Sequence, residues 1–409
     1  MKIFKKILGD FVGGSLVLLV SMNLFNFLNY FFHFVSARLL EPISYGILAT
    51  LMSIVYIFNV PNETIQTITS RYATKFNVDK NNRKIKNLMS KAIKKFLLLG
   101  IVCSLIFAVF SPVLGRFLFI DAKLLILTGM ILLGIFLLPV SRGILQGTKR
   151  FNSLGFNYIL EGSIKLAFTI LLVILGFGVY GAIGAVVLGV FSAFAVSFIP
   201  LRKIWKTKKA NEKIKGIYSY SFPVLISIGG ITLMYSIDII LAKRFFPAEI
   251  VGGYAVISML SKIIFFATWP ISKAMFPIAS ERYDKKNSSA DIFKKSSLIV
   301  LFMSVLILFV YFLIPKSIIR ILFGSQYISM ASLLIYPAIA MAILSLTNIF
   351  VLYNLCVNRV KRNYLIVFFV ALQIVLLSLF HSTILQFVSM LILCNLLLFV
   401  TMMILNFKK

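Results

Sequence analysis

The chain has 409 residues, of which 60% are hydrophobic and only 13% charged, and its formal net charge is +30. A soluble domain carries roughly a quarter charged residues, so a soluble globular fold is excluded. Nucleic-acid binding would need a basic face on a soluble domain, and no polar stretch is long enough to build one.

The apolar residues fall in blocks of about twenty, enough at 1.5 Å per residue to cross about 30 Å of hydrocarbon. Backbone groups in lipid must be satisfied within the segment, so each block is predicted to be a helix. In chain order the spans read 11–36, 43–70, 93–114, 123–146, 152–176, 179–200, 218–242, 250–278, 296–315, 327–354, 363–380 and 383–406. The first follows Lys2, Lys5 and Lys6 as a signal peptide would and reaches Val35-Ser36-Ala37. It is longer than the roughly 7–15 apolar residues of a signal and is expected to be a retained span. Turn chemistry separates the blocks at Glu41-Pro42, Gly176-Phe177-Gly178 and Pro247. The expected fold is an all-α polytopic membrane protein of about twelve transmembrane helices, in two lobes covering 1–210 and 211–409.

Charge supports this count. Of the 42 Lys and Arg, 32 lie in the N-terminus, the segments 71–95, 142–150, 202–215, 282–295 and 359–362, and the C-terminus. The intervening segments hold 7 and the spans 3. Under the positive-inside rule this alternation places both termini in the cytoplasm, in the cytoplasmic membrane. All connecting segments are short, which leaves no room for an extramembrane catalytic domain.

The halves repeat. Tyr45-Gly46 with Pro61 recurs as Gly253-Tyr254 with Pro270, Arg71-Tyr72 as Arg282-Tyr283, Pro112 with Arg116 to Phe119 as Pro315 with Arg320 to Phe323, and Lys149-Arg150 as Lys361-Arg362. The offsets run from 203 to 212. Four matches in one order point to two pseudo-symmetric six-helix units. Both begin on the same side, so the repeat is parallel, as in secondary transporters whose substrate site lies between the halves.

Ionisable residues inside hydrocarbon are functional candidates. They are Glu63 in the second span, Glu161 and Lys165 in the fifth, Asp238 in the seventh, and Lys262 and Lys273 in the eighth. Lys262 and Lys273 are three turns apart on one face, about 16 Å by helix rise, and two stacked cations suit a phosphate-bearing ligand; the bland reading is that each snorkels or pairs with an acid. Asn59, Glu63, Gln66, Thr67 and Ser70 form a polar stripe that must face protein or water. The repeat sets Glu63 beside the Lys273 position, as a gate or as a helix tie. Asn23, Asn26, Tyr30 and His33 share one face of the first span and suit either sugar hydroxyls or interhelical bonding. Glu161 and Lys165, at i and i+4, are expected to form a structural ion pair. Asp238 has Lys243, Arg244 and Lys262 as candidate partners, or serves to bind a proton or sodium ion.

Cys103, Cys356 and Cys394 have no pairing pattern, and His33 and His381 are isolated, so no metal site is expected. There is no GxxxxGK[ST], DxD or HExxH, and neither catalytic residues nor a cofactor is expected.

Three stretches carry a resemblance. Arg38-Leu-Leu-Glu-Pro-Ile-Ser-Tyr-Gly46, Leu145-Gln-Gly-Thr-Lys-Arg-Phe151 and Tyr235-Ser-Ile-Asp238-Ile-Ile-Leu-Ala-Lys243 with Val251-Gly-Gly-Tyr254-Ala resemble the polysaccharide-biosynthesis flippases of the multidrug/oligosaccharidyl-lipid/polysaccharide exporter superfamily. The resemblance implies a V-shaped pair of lobes working by alternating access and a polyprenyl-(pyro)phosphate-linked oligosaccharide as cargo. Membrane lipids and other polysaccharide-assembly proteins are the expected partners. Asp238 occupies the family's seventh-span Asp and, with Glu63, is the candidate for coupling or gating by H+ or Na+. Relatives are thought to use a cationic cleft, whereas the span charges here cancel; Arg38, Arg71 and Arg142 at span ends are candidates to supply the missing charge. The alternative function is an ion-coupled exporter of organic cations from the same superfamily.

Overall fold

A computed structural model describes residues 2–207, 221–284 and 287–407. The expected lobe boundary at 210/211 lies outside the described residues, as do much of the basic segment 202–215 and the last two lysines. The described chain is helical: α1 (Lys2–Leu39), α2 (Pro42–Phe58), α3 (Val60–Val78), α4 (Asn82–Leu118), α5 (Ala122–Gly147), α6 (Phe151–Leu172), α7 (Gly178–Trp205), α8 (Ser221–Phe245), α9 (Ala248–Asp284), α10 (Ala290–Leu313), α11 (Pro315–Leu322), α12 (Ile335–Cys356), α13 (Leu365–Leu379) and α14 (Ile384–Phe407). Among the described residues ten helical segments are long and apolar enough to span a membrane. One of them, Phe151–Trp205, turns back on itself at Gly176 and Gly178, whose φ of 88° and 52° fall where an L side chain is strained.

The chain divides into two compact units, Met1–Leu40 with Phe58–Ser219, and Glu41–Ile57 with Tyr220–Lys409. Within the first, α1 packs on α6, α3 and α4 on α5, and α7 on both α5 and α6. Within the second, α8 packs on α13, α9 and α10 on α12, and α14 on both α12 and α13. This is the same pairing of six spans in the same order, so the sequence repeat is a repeat of packing. The central helix of each unit is its fourth span: 78% of the most apolar stretch of α5 is buried, and 67% of that of α12. The outermost is its third, with 17% buried in α4 and 22% in α10.

Two places depart from the expected pattern. The apolar run 43–70 is bent, with α2 ending at Phe58 and α3 starting at Val60. Pro61, in the first turn of α3, has no N–H to continue the ladder, and the change of unit falls at this bend. Its repeat partner Pro270 lies inside an unbroken α9. Pro112 likewise sits inside α4, whereas the chain breaks at Ile314 (φ −132°) before Pro315 and forms the short amphipathic α11 and a 3-10 segment, Ser325–Leu333.

In the second unit α2 meets α9 at paired glycines: a Cβ on Gly46 would stand 3.1 Å from the Gly252 nitrogen, and one on Gly252 would stand 2.1 Å from the Pro42 carbonyl oxygen. Tyr45 is fully buried there, its ring centroid 6.1 Å from those of both Phe323 and Tyr327. At the α4–α5 turn, Asp121 accepts from the Lys123 N–H at 2.9 Å and from the Tyr180 hydroxyl. The tyrosine bond first, then the backbone bond, holds its carboxyl below the usual carboxylate range.

Candidate functional site

Each unit holds a buried polar ladder built by residues four apart on one helix, a spacing that stacks side chains on one face. In the second unit the ladder is Tyr254, Ser258 and Lys262 on α9, and it closes on Asp238 of α8. The Tyr254 hydroxyl donates to Asp238 Oδ2 at 2.9 Å and the Ser258 hydroxyl donates to the same oxygen at 2.7 Å. Lys262 Nζ lies 3.5 Å from Oδ1. Asp238 is 1% exposed and Lys262 3%. A lone carboxylate in this interior would be strongly destabilising; two hydroxyl donors and an ammonium make it tenable. Of the three cations expected as candidate partners for Asp238, the structure pairs it with Lys262.

In the first unit the ladder is Asn157, Glu161 and Lys165 on α6. It receives Arg142 from α5, which is buried (4% exposed) rather than standing free at a span end. Arg142 Nε donates to Asn157 Oδ1 at 2.8 Å, and Nη2 donates to Glu161 Oε2 at 2.6 Å and to the Asn157 carbonyl at 3.4 Å. Its guanidinium carbon sits 4.0 Å from the Tyr158 ring centroid. The Asn157 amide donates onward to the Ala193 carbonyl at 2.6 Å, so α5, α6 and α7 are tied through one side chain. Glu161 therefore closes on Arg142, whereas the Lys165 ammonium turns to α1, donating to Asn29 Oδ1 and lying 4.4 Å from the Phe32 ring centroid. The arrangement suits a guanidinium, whose rigid planar fork engages the carboxylate and the Asn157 amide together.

The polar stripe of α3 divides. Gln66 turns inward, its amide 3.1 Å from the Tyr158 hydroxyl and donating to Gln146 Oε1 at 3.1 Å. Thr67 is exposed and Glu63 half-buried. On α1, Asn23 and Asn26 are exposed, Tyr30 is half-buried, and His33 is buried with its ring edge-on to Phe32. Arg38 and Arg71 are exposed. Lys273 is exposed, with its ammonium 3.7 Å from the Trp269 ring centroid. Glu63 and Lys273 belong to different units. Among the described residues no three His, Cys, Asp or Glu side chains are grouped as a metal site.

The sequence profile of a family described as polysaccharide biosynthesis protein matches residues 11–283, two thirds of the chain. The chain belongs to the polysaccharide biosynthesis protein family. A search of curated proteins finds no match. Among solved structures, this family member resembles a multidrug resistance MATE family transporter of the MOP superfamily in its inward-facing conformation. The TM-score is 0.75 at 14% identity, over 96% of this chain and 100% of that one. It also resembles MATE in complex with MaD3S (TM-score 0.66, 14% identity, 97% and 94% covered) and an outward-facing MATE family transporter (0.60, 14%, 98% and 96%). At that identity the likeness is one of fold: this polysaccharide biosynthesis protein is a multi-pass helical membrane protein with the fold of those MATE transporters.

Three ladder residues of this family member, Asn157, Ser258 and Tyr254, escaped the sequence reading as site residues, as did Gln146 beside Gln66; Tyr254 was noted only for the repeat and the resemblance. The signal that could have found them is the four-residue spacing, Asn157 to Glu161 and Tyr254 to Ser258 to Lys262, beside an intramembrane charge of opposite sign on a neighbouring span.

Proposed function

We propose that the protein is a flippase that moves a polyprenyl-(pyro)phosphate-linked oligosaccharide across the cytoplasmic membrane by alternating access, with both termini in the cytoplasm, for assembly of a cell-surface glycan. The observation that carries this reading is membership of the polysaccharide biosynthesis family in a chain with a transporter fold. A hydrophilic glycan on a lipid tail needs a polar path for the headgroup, and the tail stays in the bilayer. The exposed Asn23 and Asn26, with Tyr30, Arg38, Arg71 and Lys273, are the groups assigned to that headgroup.

Asp238 and Lys262 form the working pair in this reading. Held against Asp238, the Lys262 ammonium is neutralised. A proton or sodium ion taken up by Asp238 frees that ammonium for a phosphate, which couples cargo to ion. Arg142 is held by Glu161 and also by the side chain and the carbonyl of Asn157, so in this reading it serves the scaffold of the first unit rather than the cargo. A second reading, ion-coupled export of organic cations, is favoured by the likeness to multidrug transporters; lysine in the working pair weighs against a cationic cargo.

The test uses purified protein in liposomes with a fluorescent polyprenyl-pyrophosphate oligosaccharide and a membrane-impermeant quencher, with and without an imposed ion gradient. Protein-dependent loss of the protected fraction is expected, and Lys262→Ala should slow it at least about tenfold, the scale of a lost charge-assisted contact. No exchange with several glycans, together with efflux of a cationic dye, overturns the flippase reading in favour of the second.

A further inference from the structure

The outermost helix of each unit carries the same unassigned feature. On α4 the exposed face runs through Leu98, Leu105, Val109 and Val113. On α10 it runs through Leu298, Phe302, Val305, Phe309 and Phe312. Steps of three, four and seven keep these residues on one side of the helix. At the end of each stripe nearest the helix N-terminus the same face turns basic, with exposed Lys94-Lys95 before Leu98 and exposed Lys294-Lys295 before Leu298. From Lys94 to Phe117 is about 34 Å of helix, and from Lys294 to Leu313 about 28 Å, so each stripe matches about one hydrocarbon thickness.

We infer that Lys94-Lys95 on α4 and Lys294-Lys295 on α10 form a pair of binding sites for anionic phospholipids, one per unit, on the lipid-facing side and at the headgroup level of the Lys/Arg-rich leaflet. Three physical arguments carry this. By the Lys/Arg alternation both helices enter the membrane from that side, and a helical Cα–Cβ bond tilts toward the N-terminus, so the four lysine side chains set out toward the phosphate layer of that leaflet. The apolar stripe directly beneath receives acyl chains, so headgroup and tail are met by one continuous face. Finally, the acid within one turn of Lys294 is already engaged: Asp291 accepts from Arg282 Nη1 with both oxygens, each at 2.8 Å. A general excess of cytoplasmic lysine accounts for basic residues at this depth. It does not require the same lysine pair at the head of the lipid-exposed stripe in both repeats.

A lysine at an anionic surface contributes about 1 kcal/mol, about fivefold in affinity. The test is native mass spectrometry of protein taken from nanodiscs of equal phosphatidylglycerol and phosphatidylcholine. The wild type should retain phosphatidylglycerol over phosphatidylcholine. The variant Lys94→Gln/Lys95→Gln/Lys294→Gln/Lys295→Gln should lower that ratio at least about tenfold, and each pair changed alone should lower it severalfold. A control with Lys149, Lys203, Lys206 and Lys361 changed to Gln alters the same charge on the same side and should keep the wild-type ratio. An unchanged ratio in the paired variants, or an equal fall in the control, overturns the assignment.

Discussion

Asp238 and Lys262 illustrate what one buried charge demands of its neighbours. Removing one member of a buried pair leaves the other uncompensated, at about 3–5 kcal/mol, whereas removing both together is often close to neutral. Asp238→Asn should therefore lower the thermal stability of the purified protein strongly, and Asp238→Asn/Lys262→Met should recover most of the loss. Equal melting of the single and double variants would mean that the pair is not what holds α8 to α9. The same logic ranks the first unit: Glu161→Gln strands Arg142 among Asn157 and Tyr158 and should destabilise more than Lys165→Gln, whose ammonium lies on an amide and a ring. At this scale the charged residues were legible in the sequence, because charge inside hydrocarbon is rare. Their partners were less so. Glu161 has Lys165 one turn away in sequence, yet it takes Arg142 from another helix, whose fork binds Asn157 and Glu161 at once while Lys165 turns to Asn29.

Helices in a membrane gain little from burial against each other, since lipid tails are as apolar as their own side chains, so association relies on close packing at small residues. The α3–α5 seam shows this. A Cβ on Gly143 would meet the Gln66 carbonyl oxygen and Thr69 Cβ at 2.7 Å, and one on Gly147 would meet the Ser70 carbonyl oxygen at 2.4 Å. Backbone cannot move aside as a side-chain tip does, so Gly143→Val and Gly147→Val should each cost about 1–3 kcal/mol and also weaken the Gln66–Tyr158–Gln146 contacts that the seam aligns. Gly184→Val is the matched control, because a Cβ there meets nothing within 4 Å; its melting should be unchanged. The element pattern was readable in the sequence, from block length and the Gly176-Phe177-Gly178 turn. The end of α10 at Leu313 falls within two residues of the expected span end at 315, but the bend at Pro61 was not readable. A proline in an apolar run permits a break without requiring one, as Pro270 and Pro112 inside continuous helices demonstrate, and packing partners decide which outcome holds.

For the molecule as a whole, the repeat and the charge distribution constrain one another. The same five helix pairings recur in both units, but a repeat of packing alone is compatible with units inserted in the same sense or in opposite senses. The Lys/Arg alternation of the sequence predicts the parallel arrangement, with Lys149 and Arg359 expected on the cytoplasmic side and Lys123 and Lys316 on the other; all four are exposed. This makes a labelling prediction in the corresponding connections between spans of the two repeats. With the native Cys103, Cys356 and Cys394 replaced by Ser, single cysteines at 123 and 316 should react with an impermeant maleimide on intact cells. Those at 149 and 359 should react only after the membrane is opened. An inverted pair of units would instead expose 123 together with 359, or 149 together with 316. That result would remove the parallel axis on which alternating access between the units is argued, and with it the common leaflet for the lysine pairs of α4 and α10.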